Sequence, residues 1–445
     1  MSLSSVFHDI IYADPYIISR MKARYQYRIY PTDQQRKLLA QVFGCVRVVF
    51  NDALALCKRS EKLPKNSQRR LTPHVLQKIC ITQAKKTEER QWLKEVSNIP
   101  LQQSIADLGV AYKNFFDSLS GKRKGKSVGY PRFKKKHNQQ SARFRKGGFS
   151  IKGNQVYLAK IGLLKTKWSR ELPSEPSSVT VIKDRANRYF LSFVVDVEPE
   201  IISAKNESIG IDLGISIFAA LSNSEKIYSP DYSKLERKIR RTKRILSRRK
   251  KGSKRRELTR IKLAKLTSKL ARVRKDFLDK LSTRLIKENQ IISLEDLNVS
   301  GMLKNRKLAR AISQQGWSMF RSMCETKSNK YCRDVRIISR WQPTSQICAD
   351  CGYKWGKLDL SIREIVCLGC GKKQCRDSNA SRSIDRIGLG HSHDGDKWIG
   401  SGARRKASPV CFADDGALAP QTSVEAIHDE LSTRKLEWEQ LSLPI

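Results

Sequence analysis

The sequence predicts a multidomain α+β protein. An antiparallel β-barrel with an inserted helical domain comes first, followed by an α/β domain that carries an inserted four-cysteine zinc ribbon. Three observations predict this. Cys348, Cys351, Cys367 and Cys370 are spaced C-x2-C-x15-C-x2-C. Short stretches of alternating apolar and polar residues flank a long helical pattern in the first half. In the second half a carboxylate, Asp212, stands inside an otherwise apolar strand.

The cysteine spacing lies in the window of a zinc ribbon. Each CxxC turn brings two thiolates to one point, and two such turns complete a tetrahedral all-sulfur site. Gly352 and Gly371 each follow a turn, where a residue tolerant of positive φ is favoured. A closed four-thiolate site leaves no open coordination position, so this zinc is expected to be structural.

The totals narrow the partners. The 445 residues should hold about three domains. A net charge of +45 requires a polyanionic partner, nucleic acid before a membrane surface. No apolar run approaches the ~20 residues of a spanning helix, and no signal peptide is visible, so no membrane partner is expected. Eleven cysteines without a secretory signal suggest a reducing, cytoplasmic setting, with the non-ligand thiols buried.

In chain order, Lys22–Tyr30 alternates as a strand ended by Pro31. Thr32 with Gln35 makes a capping box that opens a helix, whose apolar stripe runs from Leu38 to Phe50. Helical patterns continue to about Leu119, broken at Pro64, Pro73 and Pro100. Residues 121–148 are basic, with Tyr130, Phe133 and Phe144 interleaved, a composition suited to gripping phosphates while stacking on bases. Strands follow around Val156–Leu158, Val179–Val181 and Tyr189–Val195, with a turn near Asp184–Asn187. In Glu207–Ser222, Ile209, Ile211 and Leu213 share one face, so Asp212 points to the other.

Residues 234–275 hold 21 Lys or Arg against two acids, Glu236 and Glu257. An apolar stripe through Leu258–Leu285 puts this charge on a long helix or helical hairpin, suited to a nucleic-acid backbone. Ile291–Leu294 form a strand with Glu295 at its end, and Asp296 points the opposite way. A helix over 314–332 and a strand over 335–341 precede the cysteines, and Asp377 opens a short helix through Ile384. His391 and His393 read as loop residues, and the tail from Phe412 is net acidic.

A buried carboxylate is costly without a partner, and a metal ion is one such partner. An Asp in a first strand, a Glu ending a later strand and an Asp on a terminal helix are brought to one sheet edge by an RNase H-like fold. Asp212, Glu295 and Asp377 there could hold two Mg²⁺ or Mn²⁺ about 4 Å apart for phosphodiester hydrolysis.

The set SIGIDLGI, IISLEDLNV, RWQPTSQICADCG with CLGC, and RDSNASRSI resembles the TnpB family of transposon-encoded RNA-guided DNA endonucleases. That family is similar to compact type V CRISPR effectors. The opening YRIYPTDQQRKLLAQVFGCVRVVFN resembles its N-terminus, and the resemblance covers most of residues 22–390. It implies an N-terminal extension at 1–21 and a β-barrel (wedge) domain at 22–31 and 120–200. It further implies a helical recognition domain at 32–119, a RuvC-like nuclease domain at 205–342 and 373–390, a zinc-ribbon target-nucleic-acid-binding insertion at 343–372 and a C-terminal tail at 391–445. The family's catalytic acids fall on Asp212, Glu295 and Asp377.

The implied partners are a guide RNA encoded at the transposon end and double-stranded target DNA with a short adjacent motif. A monomer or weak dimer near the bacterial or archaeal nucleoid is implied. Two departures stand near the last acid. Cys375 replaces a usual acidic residue, and Ser383 replaces a usual Asn. Other readings are a transposase acting directly on DNA, a guided DNA-binding protein weakened in cleavage, and a plain zinc-ribbon nucleic-acid binder. The last leaves Asp212 without an explanation.

Overall fold

The computed structural model describes residues 20–62, 71–123, 127–359, 361–394 and 397–400. Most of the N-terminal extension and the whole acidic tail from Phe412 lie outside the described residues. The chain divides into two units, one built on Lys22–Val197 and the other on Glu198–Asp415.

In the first unit, β1 (Met21–Ile29) alternates as its sequence requires, with Tyr27 and Ile29 buried. Thr32 and Gln35 form the expected capping box, each side chain bonding the other's backbone N–H, and start α1 (Asp33–Glu61). By length and composition α1 could cross a membrane, contrary to the sequence expectation that no such helix exists. Its apolar stripe, Leu39 to Leu54, is instead the core of this unit. A short α2 (Pro73–Gln77) and α3 (Asn98–Leu119) follow, capped by Thr72 and Ser97.

Seven strands make one antiparallel sheet: β1, β2 (Gln140–Arg145), β3 (Phe149–Lys152), β4 (Gln155–Leu158), β5 (Gly162–Lys167), β6 (Ser178–Lys183) and β7 (Tyr189–Val197). Their order is β2-β6-β7-β1-β5-β4-β3. The edge strands β2 and β3 are joined by only Lys146–Gly148, so the sheet nearly closes on itself. The interleaved aromatics of 121–148 mostly serve packing and are not free to stack on bases. Phe144 is fully buried. The Tyr130 hydroxyl donates to Glu61 at 2.8 Å and shares a 2.6 Å bond with Tyr112. Asn51 holds Lys134 through both its backbone N–H and carbonyl. Phe133 stays exposed.

The second unit is organised on a five-stranded sheet. It contains β8 (Asn206–Leu213), β9 (Ala219–Leu221), β10 (Lys226–Ile227), β11 (Asn289–Glu295) and β12 (Asp334–Ile338), ordered β10-β9-β8-β11-β12. The first three are antiparallel, whereas β8, β11 and β12 run parallel. Parallel neighbours need crossovers. The basic segment supplies the first as a helical hairpin, α4 (Ser233–Arg248) and α5 (Lys254–Glu288), with Ser253 capping α5. Short α6 (Val299–Met302), α7 (Ala309–Gln315) and α8 (Trp317–Tyr331) supply the second.

Ile209, Ile211, Ile292, Leu294 and Val335 pack with Leu278, Leu281, Leu285, Trp317 and Phe320 in one core. Because strand side chains alternate, Gly210, Asp212, Ser293 and Glu295 take the opposite face. That face meets α9 (Arg376–Leu389), a longer helix than the sequence suggested. The cysteine module lies between β12 and α9 and contains the hairpin β13 (Glu364–Val366) and β14 (Lys373–Cys375). Gly352 and Gly371 adopt the expected positive φ, 87° and 69°. His391 and His393, read as loop residues, belong to a hairpin of β15 (His391–Asp394) with β16 (Lys397–Gly400).

Candidate functional site

Two parallel strands and one helix build the site. In register, Ser293 pairs with Gly210 and Leu294 with Ile211, so Glu295 and Asp212 end adjacent strands on the same face. α9 crosses this face antiparallel to β8. Four helical residues advance about 6 Å and two strand residues about 6.7 Å. Positions 377, 381 and 385 of α9 can therefore match 212, 210 and 208 of β8. The contacts follow that match. Asp385 accepts a 3.2 Å bond from the Ser208 hydroxyl. A Cβ on Gly210 would sit 2.1 Å from the Ser381 carbonyl oxygen. Asp377 acts electrostatically on Asp212. Gly210 is thus the residue that lets helix and strand approach, a role that sequence reading missed.

Burial, and then the charges of Glu295 and Asp377, push the Asp212 carboxyl up to about 7, while Arg376 opposes them. Burial raises Glu295 as well, against the pull of Arg340. Asp296 points away, as its strand position requires, and is ion-paired with Arg321 and Arg340. The Arg363 guanidinium donates to Asp377 at 3.3 Å. The oxygens of the three acids do not all lie within 4.8 Å of one another, whereas the four cysteine sulfurs do.

Those sulfurs test the zinc expectation directly. Cys348 and Cys370 Sγ are 3.8 Å apart, and Cys351 and Cys367 Sγ 3.6 Å. A tetrahedron with Zn–S near 2.3 Å has edges of about 3.8 Å, so the donor set fits zinc. The Gln374 amide donates to Cys348 Sγ at 3.3 Å. Burial alone would raise the Cys348 thiol, but backbone N–H groups of Cys351 and Asp350, together with Gln374, bring it down to about 7.

The module is fastened to α9 by Asn379, the third residue of the DSN motif. Its Oδ1 accepts from the Ala349 N–H at 2.7 Å, and its Nδ2 donates to the Ile347 carbonyl at 2.6 Å. Arg382 holds Asp350 at 2.6 Å. Asn379 is fully buried. The sequence held part of this signal, since a polar residue on a buried helix face needs a polar partner, but its partner was not readable. Cys375 precedes α9 and receives the Lys226 ammonium at 3.2 Å. Ser383 is buried, and its hydroxyl has no hydrogen-bond partner among the described residues.

Three family profiles match. The one described as "Probable transposase" covers residues 192–306, "Helix-turn-helix domain" covers 21–62, and "Cas12f1-like, TNB domain" covers 317–384. Over 21–62 the described structure is β1 followed by the single helix α1. A protein of Streptomyces pristinaespiralis, provisionally named RNA-guided DNA endonuclease, is 41% identical over 85% of this chain and 92% of its own length. Escherichia coli (strain K12) InsQ, which bears the same provisional name, is 29% identical over 84% of this chain and 94% of its own. A cryo-EM structure of a Cas12f1-sgRNA-target DNA complex covers 82% of this chain and 98% of that chain, at TM-score 0.49 and 14% identity.

Proposed function

Because the chain belongs to the TnpB family, we propose that it is an RNA-guided DNA endonuclease whose cutting site is Asp212, Glu295 and Asp377. The observation that carries this reading is geometric: strand register sets Asp212 beside Glu295 on one sheet face, and α9, which carries Asp377, packs closely over that face. Three antiparallel strands continued by two parallel ones, with α9 over the acid-bearing face, support an RNase H-like, RuvC-type domain.

Hard oxygen donors suit Mg²⁺ or Mn²⁺, and a carboxyl kept partly protonated by burial and like charge is a site a cation would stabilise. Asp212, Glu295 and Asp377 would hold the ions. Bound there, they supply an activated water and charge neutralisation at the leaving 3′ oxygen. The chain's own groups do the rest. Glu295 and Asp212 are fixed by strand register, and Asp377 by the packing of α9. Arg363 places a guanidinium at Asp377, where a phosphate would enter. The α4–α5 hairpin offers cations along a helical face for the phosphates of RNA or heteroduplex. The zinc module holds its fold through sulfur ligands alone and helps load target DNA.

In this reading a guide RNA encoded at the transposon end pairs with the target strand. The N-terminal unit reads a short adjacent motif in double-stranded DNA. Cys375 and Ser383 favour one variant of it, a protein with the same partners and slower cleavage.

The test is to express the chain with its native flanking DNA, purify it in high salt and sequence the RNA that stays bound. One dominant RNA from the flank is expected, and with it Mg²⁺-dependent cutting of matched DNA that Asp212→Ala abolishes. A random mixture of cellular RNA, or cutting unchanged in Asp212→Ala, would overturn the proposal.

A further inference from the structure

Trp341 is the most exposed large apolar side chain of the described residues, at 85%. Four other tryptophans have described side chains. Trp92, Trp168, Trp317 and Trp355 are all buried or half-buried. An indole carries a large apolar face that gains from being covered, and among the described residues this one stays exposed.

Its place is specific. β8, β11 and β12 are parallel, so their carboxyl ends share one sheet edge, the edge that carries Asp212 and Glu295. Ile338 pairs directly with Glu295. Trp341 follows three residues later, a reach of at most about 11 Å. The intervening turn is fixed. The Asp296 N–H donates to the Ile338 carbonyl at 3.0 Å, Arg340 is ion-paired to Asp296, and the Trp341 N–H donates to the Ser339 hydroxyl at 3.3 Å. The indole is thus an exposed ring, reached through a hydrogen-bonded turn, at the end of the sheet that carries the acids.

We propose that Trp341 is a positioning residue that stacks on a base of the single-stranded DNA entering the site, within a few nucleotides of the bond to be cut. The inference rests on the nuclease reading above and adds a contact to it. The partner follows from the surroundings. Arg363 and Arg376 accompany the acids, and a net charge of +45 selects a polyanion. Among polyanions only nucleic acid offers flat π-faces, and stacking needs an unpaired base. The contact is indifferent to base identity, because every base has such a face.

The experiment uses the full chain with its co-purified RNA. 2-Aminopurine is placed at successive positions of one DNA strand, and quenching is read in the Asp212→Ala background, where the strand is not cut. Quenching at one or two positions is expected. It should survive Trp341→Phe and vanish in Trp341→Ala. With Asp212 intact, Trp341→Ala should lower kcat/KM by about 5- to 150-fold, and Trp341→Phe should restore most of it. Trp341→Ala should melt at the wild-type temperature, as an exposed ring adds little to the fold.

Equal quenching and equal kcat/KM in Trp341→Ala would overturn the proposal, as would a lowered melting temperature that accounts for the loss. Quenching of 2-aminopurine placed in the guide RNA and not in DNA would overturn it too. Trp341-dependent quenching without any cleavage by the wild type would uphold the contact and remove the nuclease reading.

Discussion

Replacing Gly210 by alanine should separate the three acids of the proposed cutting site without touching any of them. The added Cβ would meet the Ser381 carbonyl oxygen at 2.1 Å, the Asp385 nitrogen at 2.6 Å and the Asp385 Cβ at 2.7 Å. Two of these three atoms are backbone, so α9 as a whole must retreat by about 1 Å to restore contact distance. Overpacking of this kind costs about 1–3 kcal/mol. For a unit of this size that lowers the melting temperature by roughly 2–12 °C. The larger effect is on geometry. Asp377 rides on α9, and a misplacement of about 1 Å can cost ~100-fold in rate. The assay is thermal unfolding together with single-turnover cleavage at saturating guide RNA. The control is Gly109→Ala in α3, where a Cβ meets nothing within 4 Å. That change should leave cleavage intact and raise stability by about 0.5–1 kcal/mol. Wild-type melting and a wild-type rate in Gly210→Ala would refute the packing of α9 on β8 that the site depends on.

Asn379→Ala should orphan the Ala349 N–H and the Ile347 carbonyl, costing about 2–4 kcal/mol; faster zinc release to a chelator would show it, and unchanged release would count against the role. Asp212 predicts a pH dependence. Its carboxyl is raised from 3.8 to about 7 in the fold, so folding favours the neutral form. That contribution is whole below pH ~4 and is lost as pH rises through about 7, a loss of no more than ~4 kcal/mol. In magnesium-free buffer the wild type should therefore lose melting temperature from pH 5 to 8 relative to Asp212→Asn, and added Mg²⁺ should restore it only in the wild type; parallel pH profiles would contradict this. Cys348→Ser should release zinc and lower cleavage, while retention of both would remove the four-sulfur site.

The legible parts of this chain were those encoded over short distances. The capping box of Thr32 and Gln35, the alternation around Asp212 and the CxxC turns each depend on a few neighbouring residues, and each has the predicted form. What sequence reading missed depends on pairs far apart in the chain. Tyr130 looked like a base-stacking residue because its own surroundings are basic, but Tyr112 and Glu61 claim its hydroxyl. The pairing of Gly210 with Ser381 and of Asn379 with Ile347 follows from where α9 crosses the sheet, and neither partner marks the other in sequence. His391 and His393 resembled a loop because their own short strand, HSHD, carries no apolar alternation.

The dual role of α9 connects the two halves of the site. Its N-terminal end holds Asp377 toward the sheet, while Asn379 and Arg382 reach the cysteine module. The sheet-facing side also packs Ile384 and Ile387 on Ile338 of β12. A helix fixed on both sides cannot shift on one without disturbing the other. The four-sulfur site is therefore separate from the three acids in its ligands yet mechanically coupled to them through α9. In the proposed zinc-bound protein, losing the metal would free the Ile347–Ala349 turn, which is bonded to Asn379, two residues from Asp377. On the proposed function, a zinc ion with no open coordination position would set the rate of a reaction it never touches, and its removal should lower cleavage before it unfolds the unit.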